Sequence, residues 1–341
     1  MAEGRFYNPV VAALTGFYDL FRKQELEHRF TEKDNFNGKT VLITGANSGL
    51  GFALATESAK RGAKVIMACR RQIPEAGEKV KKLSGSNAVE MRYLDLSKIE
   101  TIHAFVNQLK EESITPDVII LNAASAAPRS RKTESGQDEL FLVNYFSNFI
   151  LVNLFLSRSV IKLNEKNQQR LIFISSDSHR GSSNIDYQEF GTYFEYGVSK
   201  AISNYSYFKL VLNTFATELS RRINKDKTLL PVNLICPGPV NTNIIRETPF
   251  LVRIALRAIF SIIFRSPTKA SQPIIYLASS DDFQGETNKY LHMFIPKNMD
   301  DKVYDEEEGK KLWSESVKLW KSLDKEATFY YDEQPVESIK F

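Results

Sequence analysis

From Lys39 onward the chain alternates short apolar runs with longer helical patterns. Thr40–Thr44, Lys64–Cys69, Val118–Leu121, Leu171–Ser175 and Val232–Cys236 are β-branched or apolar runs, as in strands buried on both faces of a parallel sheet. Val89, Met91 and Tyr93 alternate with Glu90 and Arg92, predicting a strand with one wetter face. Helical patterns fill the gaps: Gly51–Arg61, Ile73–Leu83, Lys98–Glu112, Leu140–Leu163 and Phe194–Arg222. Gly62 falls where a helix-ending glycine belongs. Such repetition predicts an α/β fold, a doubly wound parallel sheet flanked by helices in one domain. That domain spans 38–298. An amphipathic extension (1–37) precedes it, with Val10, Val11, Leu14, Phe17, Tyr18 and Phe21 at helical spacing. A charged extension (299–341) follows, turning helical at Leu312, Trp313, Val317, Leu319 and Trp320.

Composition narrows the classes. With 43% hydrophobic and 25% charged residues, the 341-residue chain reads as globular, not disordered or multi-span. A net charge of +4 is too weak to argue for nucleic acid. Cys69 and Cys236 both sit in apolar runs, which argues for a reducing compartment and against a disulfide scaffold. Four histidines and two cysteines suggest no dedicated metal site. The apolar stretch Pro9–Tyr18 lacks a basic lead and is too short to span a bilayer.

The first strand runs into Thr44-Gly45-Ala46-Asn47-Ser48-Gly49-Leu50-Gly51, with a helix pattern at once behind it. Glycines there let the backbone approach a pyrophosphate, and the helix start offers unpaired N–H groups. Gly45, Asn47, Ser48, Gly49, Leu50 and Gly51 are therefore candidate coenzyme contacts. The second strand ends in Ala68-Cys69-Arg70-Arg71, with no acid for a ribose hydroxyl. Arginine matches a phosphate bidentately, so Arg70 points to NADP(H) over NAD(H); the bland alternative is a solvated basic pair. Tyr196 and Lys200 stand four apart and would share one face of a helix, where the ammonium lowers the phenol pKa for proton transfer. Ser175-Ser176 ends the fifth strand, at the edge where parallel sheets bind ligands.

Taken in order, Thr44-Gly-x3-Gly-x-Gly51, Asn122-Ala123-Ala124, Asn144, Ser176, Tyr196-x3-Lys200 and Pro237-Gly238-x3-Thr242 resemble the short-chain dehydrogenase/reductase family over residues 38–296. Ala68-Cys69-Arg70, the run Ser175–Arg180 and Leu312-Trp313-Ser314-Glu315-Ser316 look like its retinol-dehydrogenase-like branch, which includes the WW-domain-containing oxidoreductase. The resemblance implies a Rossmann-type fold and a set of roles. Tyr196 would exchange the proton, Lys200 would lower its pKa and hold the nicotinamide ribose, and Ser176 would orient the substrate oxygen. Asn144 would hold a relay water. Asp95 and the adjoining Leu96 would sit by the adenine, and Asn122 and Ala123 would line the coenzyme. Pro237, Gly238, Val240 and Thr242 would hold the carboxamide end. Leu121 and Ala124 depart from the family's Asn-Asn-Ala-Gly. His179 reads as a loop histidine with a structural hydrogen bond, with substrate contact the alternative.

Residues 244–264 are densely apolar, with Arg246, Arg253 and Arg257 on one helical face. Three readings stand beside one another: a membrane-interface helix, a substrate lid, and a buried helix or homodimer contact. The function expected is NADP(H)-dependent hydride transfer to or from a lipophilic alcohol or carbonyl. The alternative is a coenzyme-binding scaffold with little turnover. The expected location is cytoplasmic, with peripheral contact to intracellular membranes.

Overall fold

The computed structural model describes Asp19 and residues 22–163, 169–240 and 265–330. The amphipathic positions Val10, Val11, Leu14, Phe17, Tyr18 and Phe21 lie outside the described residues, as do Thr242 and the apolar segment 244–264. Eight strands form one sheet: β1 (Thr40–Thr44), β2 (Lys64–Cys69), β3 (Val89–Tyr93), β4 (Val118–Leu121), β5 (Arg170–Ile174), β6 (Val232–Cys236), β7 (Tyr290–His292) and β8 (Ile295–Lys297). Their order is β3-β2-β1-β4-β5-β6-β7-β8. The first seven run parallel, and β8 turns back antiparallel onto β7. The order reverses between β1 and β4, so the ligand crevice of a doubly wound sheet opens at their carboxyl ends.

The helices are α1 (Gly49–Lys60), α2 (Glu75–Ser84), α3 (Ile99–Glu111), α4 (Glu139–Ser157), α5 (Val198–Ile223), α6 (Pro267–Ser279) and α7 (Glu306–Leu323). One apolar layer joins the sheet to α1, α2 and α6 through residues such as Leu54, Val80 and Ile274. The other joins it to α3, α4, α5 and α7. Trp313 and Trp320 of α7 bury themselves there, with their rings edge-on to Phe149 at 5.2 and 6.2 Å. The charged tail thus supplies core aromatics, a large apolar burial.

Helix α4 is long and apolar enough to cross a membrane, but 94% of its apolar window is buried inside the fold. It is the central helix of the second layer. Helix α1 ends as the sequence predicts, with Gly62 left-handed at φ +87 just past Arg61. Helix α5 does not begin at Phe194. It starts at Val198, after an extended Gly197.

Candidate active site

The coenzyme end is built by tight backbone approach. Gly45 is left-handed (φ +66), and a Cβ there would meet the Cα of Ala123 at 2.9 Å. A Cβ on Gly51 would lie 2.4 Å from the Gly45 carbonyl oxygen, so α1 is pressed against the loop that precedes it. Asn122 locks this loop to β4. Its Nδ2 donates to the Thr44 carbonyl (2.9 Å), while the Asn122 and Ala123 N–H groups both donate to Thr44 Oγ1 at 3.0 Å. The replacement of the family's first asparagine by Leu121 leaves this clamp in place. No side chain caps the start of α1, which leaves its first N–H groups free for phosphate oxygens. The cradle fits a dinucleotide.

Arg70 stands at the end of β2, 38% exposed. Its guanidinium lies 3.6 Å from Asp95 and 3.6 Å from Glu139, which Arg131 also approaches at 3.5 Å. Asn47 Nδ2 donates to Gln72 at 3.1 Å. The side chain of Leu96 belongs to the core, and its carbonyl accepts from Ser147. Asn144 sits in a π-turn (Leu142–Phe146) within α4, and such turns interrupt the regular ladder, often at functional sites. Its buried amide grips the chain leaving β4: Ser125 N–H donates to Oδ1 (2.7 Å), and Nδ2 donates to the Ser125 carbonyl (2.9 Å). Gly238, left-handed at φ +77, follows β6 at the same edge, and Val240 bridges to Arg265.

The predicted Tyr196–Lys200 pair is not assembled on a helix face. Tyr196 precedes α5, because the extended Gly197 caps the helix and turns the chain. Its backbone pairs with Ser130. Its ring lies 5.5 Å from Phe194, and its hydroxyl is buried with no partner among the described residues. Burial, then the nearby Asp138 and Glu139 charges, push its pKa up, opposite to the expected activation. Lys200 is exposed.

The same spacing recurs nine residues on. Tyr205 and Lys209 sit inside α5, one turn apart and on one face. Ser176 lies beside the Tyr205 hydroxyl, close enough to favour its phenolate form. Lys209 is buried; its Nζ donates to the Ile174 carbonyl at 2.7 Å and lies 5.6 Å from the Tyr205 ring centre. Burial pushes the Lys209 ammonium down to about 8. Burial raises the Tyr205 phenol, and the neighbouring Ser176 partly offsets that. Ser176 is held from two sides. Its Oγ lies 2.9 Å from Ser178 Oγ, and its carbonyl accepts from His179 Nδ1 at 2.7 Å. His179 Nε2 accepts from Asp300 N–H at 3.1 Å, which fixes a neutral ring, and burial pushes its pKa down to about 4. His179 is thus the structural loop histidine.

Behind Cys236, at the end of β6, lies a buried charge cluster that sequence patterns do not reveal. Asp19, Asp177 and His292 bring ligand-type atoms within 4.8 Å of one another. Lys297 Nζ is hydrogen-bonded to Asp19 and lies 3.2 Å from Asp177, so the lysine itself is the central cation. Burial would lower His292, but Cys236, Asp19 and Asp177 lift it to about 10. Burial would raise Asp19, but His292 and Lys297 hold it at about 2.

A doubly wound sheet carrying a glycine turn before α1 and hydroxyl groups at the carboxyl edge of β5 is the framework of a dinucleotide-dependent oxidoreductase. The short chain dehydrogenase family profile matches residues 39–249, and the chain belongs to that family. Within it the chain falls in the retinol-dehydrogenase-like branch. It is 34% identical to human retinol dehydrogenase 14 over 295 residues, covering 81% of this chain and 84% of that protein. It is 32% identical to mouse retinol dehydrogenase 13 over 323 residues, covering 92% and 94%. Human polyprenol dehydrogenase is 27% identical over 84% of this chain and 86% of its own length. Among solved structures, an uncharacterised protein from Mycobacterium paratuberculosis superposes with a TM-score of 0.62 at 26% identity, covering 84% of this chain and 95% of that one. A short chain dehydrogenase from Shigella flexneri, solved with NADP, superposes at 0.57 and 20% identity, covering 76% and 99%, which speaks for the fold alone. The chain is an oxidoreductase of the type that acts on CH–OH groups.

Proposed function

We propose that this enzyme interconverts a lipophilic alcohol and its carbonyl with NADP(H), using Tyr205, Lys209 and Ser176 rather than Tyr196 and Lys200. The observation that carries the reading is the placement of Tyr205 beside Ser176, at the carboxyl edge of β5, with buried Lys209 one turn further along α5. The Gly45–Gly51 loop and Asn122 would hold the coenzyme, which when bound would supply or accept the hydride. Ser176 donates to the substrate oxygen and sets its position. Tyr205, neutral at pH 7, gives its proton to that oxygen in reduction and recovers it in oxidation. The Lys209 ammonium stabilises the phenolate left behind. Asn144 holds the wall beside them through Ser125. Pro237, Gly238 and Val240 would hold the nicotinamide end.

Two observations support a lipophilic substrate. Val198 and Ile202 are 65% and 66% exposed, and with Tyr205 and Lys209 they step by four, three and four along one face of α5. The curated relatives are named for retinol and polyprenol. Purified protein assayed with NADPH against retinal, a polyprenal and short polar aldehydes should turn over the long apolar carbonyls best. A preference for the polar panel would contradict the reading. Peripheral membrane contact belongs to the same proposal, supported by the arginine-striped apolar sequence 244–264.

The NADP preference rests on Arg70. The Asp95 and Glu139 carboxylates already face its guanidinium, so a 2′-phosphate must compete with them. Arg70→Asp should weaken NADPH binding roughly ten- to a hundredfold, as for a lost charge-assisted hydrogen bond, and leave NADH binding unharmed. Coenzyme titration by fluorescence measures both. An unmoved NADPH constant would assign Arg70 to its two carboxylates alone.

A further inference from the structure

A cavity of about 1050 Å³ does not open onto Tyr205. It lies between the 181–194 segment, α5 and the chain leading into α7. Its α5 wall includes Asn204, Tyr207, Val211 and Thr214. At ~100° per residue these point roughly 160° away from Tyr205 and Lys209, so the helix separates the cavity from the catalytic face. Its floor is apolar, with Phe141, Phe190, Phe208, Leu210 and Val211.

The rim is acidic: Asp186, Glu189, Asp301, Asp305 and Glu308 line it against a single lysine, Lys302. The Lys302 ammonium is spent on the Ser182 carbonyl at 2.7 Å and on Asp300 at 3.5 Å. The rim carboxylates with recorded partners meet neutral donors: Glu189 the Thr192 hydroxyl, Asp186 the Gln188 N–H, Asp305 the Glu308 N–H, and Glu308 the Tyr187 hydroxyl. Inside, Ser182 Oγ and Asn204 Nδ2 are buried without a partner among the described residues. An ammonium head can donate to the Ser182 oxygen, while the Asn204 amide NH2 is itself a donor and is left to water.

We propose that this cavity is a second ligand site, distinct from the catalytic crevice, for a lipophilic cation: an apolar chain on the aromatic floor and an ammonium head at the carboxylate rim. Charge complementarity selects the occupant. An anion such as a fatty acid carboxylate meets repulsion at the mouth, and a neutral alcohol can donate one hydrogen bond to the rim but lacks the charge that the carboxylates favour.

Calorimetric titration of the full chain with decylammonium, decanol and decanoate, each below its micelle concentration, tests this. Decylammonium should bind one to one, at least tenfold tighter than either analogue, and more weakly as salt rises. Glu189→Gln with Asp301→Asn should weaken it, ~3-fold per removed charge, as for exposed ion pairs. Val211→Phe, which fills the floor, should abolish binding while NADPH affinity is unchanged. Ser203→Trp at the mouth provides a second block should the core variant misfold. Equal binding of decanol or decanoate, or decylammonium binding that survives both blocks, would overturn the proposal.

Discussion

Lys209→Met is expected to lower kcat/KM for carbonyl reduction by at least ~100-fold, within the range for losing a group that drives proton transfer. The side chain is buried against the Ile174 carbonyl, 5.6 Å from the centre of the Tyr205 ring and near Cys236, so its charge stands close to the Tyr205 phenol. Methionine keeps the volume and removes the charge, so the fold should survive. The same residue sets a pH limb. With its pKa pushed down to about 8, the ammonium is present at pH 7 and lost above pH 8, so reductive turnover should fall on the alkaline side. Lys209→Arg should move that limb beyond the accessible range. Stability runs the other way. The unfolded lysine holds its proton to about 10.5, so this group destabilises the fold below pH 8 and ceases to do so as pH rises from about 8 to 10.5. A flat profile up to pH 10 in wild type would remove Lys209 from the chemistry.

The fold is legible because each strand of the parallel core is a continuous apolar run. The predicted β1, β2, β3, β4 and β6 coincide with those observed, and β5 is offset by one residue. The hairpin β7–β8 escapes the pattern. Its strands have three residues each, too few for a periodic signal, and the turn depends on Met293 at φ +57, which its sequence does not advertise. Helix α6 escapes it because Pro273 lies inside, although Pro267 marks its first turn and Ser266 caps it.

The glycine loop can be read from residue type, since backbone approach at Gly45 and Gly51 demands glycine, whereas Asn122 is reached only through the family resemblance. The catalytic tyrosine cannot be read from residue type. Tyr-x3-Lys occurs twice between positions 196 and 209, and spacing treats the two pairs alike. What separates them is the helix start. Gly197 directly after Tyr196 is a boundary signal, whereas Tyr205 has unbroken helix-compatible sequence on both sides. The apolar stripe Val198, Ile202 carried on by Tyr205 and Lys209 is also present in the sequence. The carboxylates facing Arg70 come from distant segments, and only the folded chain shows them.

Tyr205→Phe and Tyr196→Phe, measured side by side, test the central claim most directly, because each removes one hydroxyl and leaves the ring. Steady-state NADPH oxidation with a long-chain aldehyde gives turnover, and NADPH fluorescence titration confirms an intact coenzyme site. Tyr205→Phe should reduce kcat by about 10²–10⁴-fold with the NADPH constant unchanged. Tyr196→Phe, whose buried hydroxyl has no partner among the described residues, should stay within a few-fold of wild type. The reverse result, with Tyr196→Phe inactive and Tyr205→Phe active, would return catalysis to Tyr196 and contradict the assignment of Tyr205, Lys209 and Ser176.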